Sequence, residues 1–295
     1  MNFSIGICAY NEEGNIGKLL DRIIESENIN DLKEIIVVAS GCTDRTEDIV
    51  KEKIKKDGRI KLISEKERKG KPSAINKIFK NCKTEYLVML DADVLPEDKC
   101  FDNLLKKFKY GVGAVSGKTL TLKTENRFWD YVGDLRFRLF DRLARDKVKK
   151  KEFVHISGYV YAIKPKIVKE IPNIINDDLF IGIKIRENGY FNEYSKDAIV
   201  KIQHPLNITD YVKQRKRVIL GHYQIEKIKN YRVPSNSTKE LIPATLKELS
   251  LNPLKLIYFL GFLGIDKYAD ILARKDAKKE EYSTKWEYIG SSKKL

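Results

Sequence analysis

Four short apolar runs within the first ninety residues, separated by helical patterns, limit the folds that this chain can adopt. The predicted strands are Phe3–Ala9, Glu34–Ala39, Ile60–Ser64 and Glu85–Leu90, and the predicted helices between them are Ile16–Ile24, Thr46–Ile54 and Pro72–Phe79. Strands that alternate with helices predict a parallel sheet with helices on both faces. Ligands of such sheets bind beyond the carboxyl ends of the strands, so we expect the functional site there.

The alternation weakens after Pro96, where longer helical patterns follow. The further predicted strands are Val112–Val115 and Val154–Ile163, the helical segments are Phe128–Leu143, Tyr211–Tyr231 and Leu241–Ala273, and Pro234–Ser237 resembles a linker. We therefore expect one α/β domain over residues 1–232, with residues 1–100 and 101–232 as its two halves. A C-terminal amphipathic helical region is expected over residues 233–295.

The charge balance indicates an anionic partner. The formal net charge is +15, from 57 Lys and Arg against 42 Asp and Glu. Nucleic acid, an anionic membrane and a phosphorylated substrate all suit this charge. The chain has no aromatic-studded basic strand of the kind that single-stranded RNA readers use, so no nucleic-acid partner is expected.

Other features predict a cytoplasmic protein, soluble or peripheral on the inner face of the cell membrane. The four cysteines form no CxxC pair, which favours a reducing compartment, and the N-terminus lacks a signal-peptide pattern. The longest apolar stretch, Leu254–Ile265, is too short to span a bilayer. This stretch and the Phe128–Leu143 stripe both adjoin basic residues, which is typical of helices that lie on anionic membranes; packing on the core or an oligomer contact is the alternative.

The strongest local signal is Asp91-Ala92-Asp93, directly after the fourth apolar run. Two carboxylates on either side of a small residue at a strand end can face one cavity, where a divalent cation relieves their repulsion. Such a cation can bridge a diphosphate and neutralise charge on a departing nucleotide. The alternative is an acidic surface turn, and the tripeptide alone does not decide between the two.

A second acidic pair, Asp177-Asp178, opens a pattern that predicts an amphipathic helix. The pair either stabilises the N-terminus of this helix or supplies a general base for an acceptor hydroxyl. Two basic segments, Gln214–Arg217 and Lys69–Lys71, also allow two interpretations. They are either solvated surface charge or ligands for phosphate oxygens.

The order of these motifs resembles the family-two inverting glycosyltransferases, which have the GT-A fold. The motifs are Ala9–Glu13, Ser40–Thr46, Gly70–Asn76, Asp91–Asp93, Ser157–Lys164, Asp177-Asp178 with Gly189, and Gln214–Val218. Each motif is weak alone, but together they keep the family's order and spacing over about residues 3–220. The resemblance implies a Rossmann-like, mostly parallel sheet with helices on both faces, and a C-terminal helical extension follows it.

The resemblance also implies roles for individual residues. The nucleotide pocket would be lined by Ala9, Tyr10, Asn11 and Glu12. Further substrate contacts would come from Ser40, Lys71, Gly158, Asp177, Gln214 and Arg217. Asp91 would face the ribose and diphosphate beside the metal, Asp93 would ligate Mg²⁺ or Mn²⁺, and Asp178 would act as the general base. Residues 1–100 would then bind the nucleotide sugar, and residues 101–232 would face the acceptor.

Some positions depart from the family's usual pattern. Ala39 and Ser40 stand where an aspartate commonly helps to read the base, so the nucleotide is not specified. Lys164 and Lys184 replace arginines, which keeps the charge but loses the bidentate fork. Val218 replaces an aromatic residue associated with processive polysaccharide synthases, which favours the addition of a single sugar.

The expected function is metal-dependent, inverting transfer of one sugar from a nucleotide-diphospho-sugar. The acceptor would be a hydroxyl or phosphate on a glycan or a lipid. Two alternatives stay open: a sugar-phosphate nucleotidyltransferase, and a non-catalytic module that binds nucleotide sugars or nucleic acid.

Overall fold

In the computed structural model, one sheet runs through the residues that the structure describes, which are 1–26, 31–229, 238–280, 282–285 and 289–292. Its strands are β1 (Phe3–Ala9), β2 (Leu32–Ser40), β3 (Ile60–Glu65), β4 (Tyr86–Asp91), β5 (Val94–Pro96), β6 (Val112–Thr121), β7 (Val160–Ile163) and β8 (Phe191–Ile202). They lie in the order β3-β2-β1-β4-β7-β6-β8-β5. The first four strands of this order are parallel, whereas β7 runs antiparallel to β4 and β6. The sheet is therefore mixed rather than wholly parallel.

Helices cover both faces of this sheet, as predicted. They are α1 (Ile16–Ile24), α2 (Thr46–Lys56), α3 (Lys71–Asn81), α4 (Cys100–Leu105), α5 (Arg127–Lys149), α6 (Asp177–Glu187), α7 (Ile208–Lys229), α8 (Thr238–Glu248) and α9 (Pro253–Lys278). In β2, Ile35 and Val37 lie in the apolar cluster that contains α1, and Ile36 and Val38 lie in the cluster that contains α3. Successive side chains of a strand point to opposite faces, so a strand covered on both sides is apolar throughout.

Two strands in the second half differ from the prediction. The predicted strand Val154–Ile163 is too long, because β7 begins only at Val160. Val154 packs under α5 whereas Ile156 packs with α6, so these apolar residues enter separate clusters without forming a ladder. The long strand β8 was not predicted, because charged residues interrupt its apolar positions.

The helix that begins at Asp177 is not amphipathic, and this expectation was wrong. Residues 179–183 of α6 are all buried, although they point in different directions around the helix. The helix lies in the interior between the sheet and its neighbours, in the same apolar cluster as Ile156 and Tyr161. The two aspartates at its N-terminus are thereby fixed in position.

The C-terminal helices pack on the α/β body. Helices α5, α7 and α9 share a cluster that includes Trp129, Leu135, Tyr211 and Phe262. The apolar stripe of α5 therefore packs on the core, and the hypothesis that it faces a membrane is wrong. The predicted linker 234–237 and the predicted boundary after residue 232 lie outside the described residues, and no described helix is long and apolar enough to cross a membrane.

Candidate active site

Two adjoining cavities lie at the carboxyl ends of β1, β2 and β4. The strand-end cavity is lined by the predicted residues Ala9, Tyr10, Glu12, Ser40, Lys71, Asp91 and Asp93. The α6–α7 cavity is lined by the predicted residues Gly158, Asp177, Asp178, Gln214 and Arg217. Lys71, Asp91 and Asp93 line both cavities, so the two spaces meet at these three side chains.

Asn11 is the one predicted site residue that lines neither described cavity. Its backbone has a left-handed φ of 52°, a conformation that asparagine tolerates better than most residues. Its side-chain amide donates to Thr43 Oγ1 at 3.0 Å, and its carbonyl oxygen accepts the Thr43 N–H at 2.9 Å. Asn11 therefore ties the turn after β1 to the turn after β2, and it supports the cavity wall from outside.

Two residues that the sequence analysis did not single out contribute to the strand-end cavity. The Arg68 guanidinium lies over the Tyr10 ring, 3.7 Å from its centre. Glu65, at the end of β3, is buried and accepts hydrogen bonds from Ser40 and from Ser73, the latter at 2.8 Å. Burial alone would raise the pKa of Glu65, but these hydrogen bonds and Lys77 lower it below its usual value. Ser40 is thus held by a charged carboxylate at the cavity wall.

Lys71 joins the two acidic pairs. This first residue of α3 places its Nζ 2.6 Å from Asp91 Oδ1 and 3.7 Å from Asp177 Oδ2. Burial disfavours the charged amine, but Asp177 and Asp91 outweigh burial and raise the pKa of Lys71 above its usual value. Lys71 therefore stays cationic at the boundary between the cavities.

Asp177 and Asp178 are neighbours in different environments. Asp177 is buried, and its Oδ2 has no hydrogen-bond partner among the described residues. Burial raises the pKa of Asp177 to about 7, against the opposing charge of Lys71. Asp178 is partly exposed to the α6–α7 cavity, and its Oδ1 accepts the N–H of Leu179 at 2.7 Å. The second carboxylate is the one that a substrate can reach.

Two of the chain's three histidines line the α6–α7 cavity, and the sequence analysis missed both. The rings of His155 and His222 lie 6.3 Å apart, edge to face. His155 Nε2 is 4.0 Å from Asp178 Oδ2, and burial lowers the pKa of His155 despite this carboxylate. The scarcity of histidine, together with the position of His155 two residues before the Ser157-Gly158 motif, is the signal that was available.

The floor of the same cavity carries a buried cation and a buried phenol. Burial lowers the pKa of Arg217, and nearby Tyr159 and acidic side chains oppose this effect. An arginine still remains protonated at neutral pH. Burial, followed by the charges of Asp93 and Asp91, raises the pKa of Tyr159 to about 12, so this hydroxyl stays neutral. The cavity thus presents positive charge at one wall and carboxylates at the other.

A divalent cation fits the carboxylates where the cavities meet. Asp91 and Asp93 line both spaces, so either carboxylate can face a bound diphosphate. Magnesium is usually held by one or two carboxylates, with phosphate oxygens and water completing its shell. The described residues contain no group of three or more His, Cys, Asp or Glu side chains that could hold a metal alone. The donor set suits an open site that substrate oxygens complete, rather than a closed site made by the protein.

Solved structures with the same fold support the architecture. A mannosyltransferase from Pyrobaculum calidifontis, in complex with GDP-Man and Mn²⁺, superposes with a TM-score of 0.61 at 23% identity, over 96% of this chain and 81% of that chain. TarS residues 1–349 from S. aureus, in complex with UDP-GlcNAc, superpose with a TM-score of 0.54 at 14% identity, over 96% and 93% of the two chains. This likeness confirms the GT-A-like α/β fold.

Sequence relatives lead to the family. Poly-beta-1,6-N-acetyl-D-glucosamine synthases of Staphylococcus aureus and Staphylococcus epidermidis are 23% and 24% identical over 226 residues. The match takes in 74% of this chain but 54% of each relative, so the chain spans about half the length of these curated relatives. The family model "Glycosyl transferase family 2" matches residues 4–171, more than half of the chain. This chain therefore belongs to glycosyl transferase family 2.

Proposed function

We propose that this protein transfers one sugar from a nucleotide-diphospho-sugar to an acceptor hydroxyl or phosphate, with inversion at the anomeric carbon. The observation that carries the proposal is that two cavities meet at Lys71, Asp91 and Asp93. A nucleotide in the strand-end cavity would have its diphosphate at this boundary, and an acceptor in the α6–α7 cavity would approach from the other side. A nucleotidyltransferase or a binding module has no need of the second cavity, and membership of the family also favours the transferase.

The chemistry is a single displacement. The acceptor oxygen forms a bond to the anomeric carbon while the bond from that carbon to the diphosphate oxygen breaks, and the electron pair leaves with the nucleoside diphosphate. Asp178, which lines the acceptor side, takes the acceptor proton. Gln214 and Arg217 hold the leaving diphosphate or orient the acceptor. Ala9, Tyr10, Glu12 and Ser40 contact the nucleotide, and catalysis comes mainly from positioning and electrostatic stabilisation.

Asp93, with Asp91 beside it, would hold Mg²⁺ or Mn²⁺. The metal supplies charge neutralisation for the departing diphosphate when it is bound. Lys71 supplies a second positive charge, since its Nζ lies between Asp91 and the acceptor-side Asp177. The fixed position of Lys71 keeps the diphosphate end of the donor next to Asp178 and Gly158, where the acceptor would enter. The complex of the Pyrobaculum calidifontis mannosyltransferase with Mn²⁺ supports a divalent ion in this fold.

A donor screen tests this function. UDP-, GDP- and dTDP-sugars are incubated with the protein, with Mn²⁺, with Mg²⁺ or with EDTA, and thermal stabilisation and nucleoside diphosphate release are measured. Binding of one donor should raise the apparent stability as RT ln(1 + [L]/Kd) predicts, and it should require metal. Release of pyrophosphate on incubation with a sugar phosphate and a nucleoside triphosphate would instead support the nucleotidyltransferase, and binding without any turnover would support a binding module.

An exposed apolar face on the C-terminal helices supports a lipid-linked acceptor. We define the α8–α9 face by the exposed residues Ile242, Leu246, Leu251, Leu254, Leu256, Ile257, Leu260 and Leu263. Several are more than half exposed, including Leu260 at 67% and Leu251 at 92%. Such an exposed apolar surface marks an interaction site. It is the opposite side of α9 from the cluster that packs on α5 and α7.

The charges near the α8–α9 face favour an anionic bilayer as the occupant. Residues 249–265 contain no acidic side chain and include Lys255. The flanking carboxylates are paired, Glu248 with Arg138 at 3.3 Å and Asp266 with Arg215 at 2.6 Å. Basic residues near a membrane surface add about 1 kcal/mol each in favour of anionic lipid. The cytoplasmic leaflet of the cell membrane is the anionic surface that this arrangement suits.

Flotation with vesicles tests the docking surface. The protein should float with vesicles that contain phosphatidylglycerol and not with pure phosphatidylcholine, and binding should weaken as salt rises. The double variant Ile257→Ser/Leu260→Ser should lose flotation. The matched control is Tyr110→Ser, which removes a fully exposed aromatic residue outside α8 and α9. Equal flotation of the double variant and the control would refute the α8–α9 face as the membrane contact.

A further inference from the structure

The C-terminal segment contributes to both cavities. We call the described residues 282–285 and 289–292 the C-terminal strap. Thr284 lines the strand-end cavity, and Ile289 and Ser292 line the α6–α7 cavity. Thr284, Ile289 and Ser292 are all buried. One short segment, more than a hundred residues after the second acidic pair, thus completes the walls of two separate spaces.

The first end of the strap is fixed beside Lys71. The Thr284 hydroxyl donates a hydrogen bond to Asn173 Oδ1, in the loop that precedes α6. Gly70, with a φ of +90°, lies so close that a Cβ there would be 2.9 Å from Thr284 Oγ1. Tyr282 packs with Ile219 and other residues of the cluster that joins α7 to α9. The strap is therefore seated against the turn that presents Lys71 to the substrate.

The second end is fixed at the start of α7. Ser291 donates to Asp210 Oδ2 through its N–H at 3.0 Å and its hydroxyl at 2.6 Å, and its Oγ accepts the N–H of Leu206 at 3.2 Å. Burial alone would raise the pKa of Asp210, but the hydrogen bonds from Ser291 and Asn207 lower it, so this anchor stays ionised at neutral pH. Hydrogen bonds to a charged group are stronger than those between neutral groups.

We propose that the C-terminal strap is a substrate-binding element of the transferase. Thr284 forms the outer wall against the nucleotide-sugar donor, and Ile289 and Ser292 close the acceptor side above Asp178. The proposal rests on the sugar-transfer function, because that reaction must keep water from the anomeric carbon. Water that attacks this carbon gives free sugar and nucleoside diphosphate, and a closed site suppresses such side reactions. The seated strap therefore raises donor affinity and lowers donor hydrolysis.

Two point variants that loosen the anchors test this role. Thr284→Val removes the hydroxyl that bonds Asn173, and Ser291→Ala removes the hydroxyl that bonds Asp210 and Leu206. Ser283→Ala is the matched control, since the Ser283 hydroxyl is exposed and is bonded to Lys285 within the strap itself. The measurements are the Kd of the donor identified with the wild-type protein, the rate of nucleoside diphosphate release without acceptor, and the melting temperature.

The expected effects follow from the anchors. Loss of one hydrogen bond should weaken seating about 3- to 10-fold. Because apparent affinity falls with the seated fraction, Thr284→Val should raise the donor Kd by a similar factor. Ser291→Ala should raise donor hydrolysis about 3- to 10-fold with little change in donor Kd, and Ser283→Ala should match the wild type.

The outcomes separate the two proposals. Wild-type protein that binds no nucleotide sugar refutes the sugar-transfer function. Wild-type protein that turns over a donor, with both anchor variants unchanged in donor Kd and hydrolysis, refutes the strap alone. A variant that melts much earlier and loses binding and hydrolysis together would show a purely structural role, which also refutes the proposal.

Discussion

The two acidic pairs of the active site are built differently and are joined by one lysine. Asp91 and Asp93 follow the end of β4, whereas Asp177 and Asp178 open α6. One member of each pair contacts Lys71, with Asp91 at 2.6 Å and Asp177 at 3.7 Å. The other members, Asp93 and Asp178, both line the α6–α7 cavity.

The difference shows how local structure gives similar side chains different tasks. A strand end leaves its carboxylates beside the strand-end cavity, where a cation and a diphosphate can meet them. The N-terminus of α6 instead buries Asp177, with Oδ2 out of hydrogen-bond reach, and presents Asp178 to the acceptor space. The strand-end pair suits metal binding, and the helix pair suits proton transfer. The predictions below test this division.

Asp93→Ala should have the largest effect. If Asp93 holds the metal, the variant should lose detectable metal-dependent sugar transfer while it keeps the wild-type melting temperature, because the residue lies at a cavity wall. Transfer is measured as nucleoside diphosphate release with Mn²⁺ and an acceptor. Asp98→Ala, which removes an exposed carboxylate that pairs with Arg22, is the control and should keep activity. Full activity of Asp93→Ala in the presence of EDTA would exclude the metal role.

Asp178→Asn should follow. A positioned base contributes about 10²- to 10⁴-fold, so kcat should fall by such a factor while the donor Kd stays within about twofold. The matched variant Asp177→Asn removes the neighbouring carboxylate, which the acceptor does not reach, and it should keep more activity. The reverse order, with Asp177→Asn the more damaging in kcat, would move the base to Asp177 and undo the division within the helix pair.

Lys71→Met tests the link between the pairs. Removing one partner of a buried ion pair leaves an uncompensated charge and costs about 3–5 kcal/mol, and Lys71 faces two carboxylates. Urea unfolding should show this loss. Lys80→Met, at an exposed position of the same helix, should change stability by less than about 0.5 kcal/mol. Equal stabilities of the two variants would mean that Lys71 does not hold the acidic pairs together.

The first half of the fold could be predicted from sequence because its signals are local. The structure confirms the four strands from β1 to β4 and the three helices between them, with ends that differ by about one or two residues. Each of these strands is buried on both faces and is therefore an unbroken apolar run. β8 is different, since polar residues alternate along it, and its position beside β6 and β5 depends on long-range pairing.

The α5 and α9 stripes show where sequence reasoning reaches its limit. Both are apolar stripes in basic segments, and the sequence gives them the same interpretation. The structure buries Trp129 and Leu135 of α5 against α7 and α9, but leaves Ile257 and Leu260 of α9 exposed. Which stripe is covered depends on how the helices pack, and periodicity alone does not contain that information.

Most of the candidate site lies in motifs that continue directly from a strand or open a helix, and these motifs could be recognised. The residues that were missed reach the site from elsewhere. Glu65 and Arg68 come from the end of β3, His222 from α7 and Thr284 from the far end of the chain. None belongs to a short pattern with the residues that it contacts, so only the tertiary structure brings it to the site.

Asp177→Asn gives the smallest expected effect, and it appears in the pH dependence of stability. Burial raises the pKa of Asp177 to about 7 in the folded protein, well above the model value of 3.8. Between these values the folded state binds more protons at this site than the unfolded state does. The site therefore loses stability as pH rises from about 4 to 7.

An asparagine does not ionise, so Asp177→Asn should match the wild type near pH 4 and become relatively more stable by pH 8. The gain should be on the order of 1–2 kcal/mol. Urea unfolding of both proteins across this range measures the difference, and Asp178→Asn, at the partly exposed neighbour, is the control for the general effect of removing a carboxylate at the start of α6. If the stability difference between Asp177→Asn and the wild type does not change with pH, Asp177 is not the buried, proton-binding member of its pair. The contrast between Asp177 and Asp178 would then be wrong.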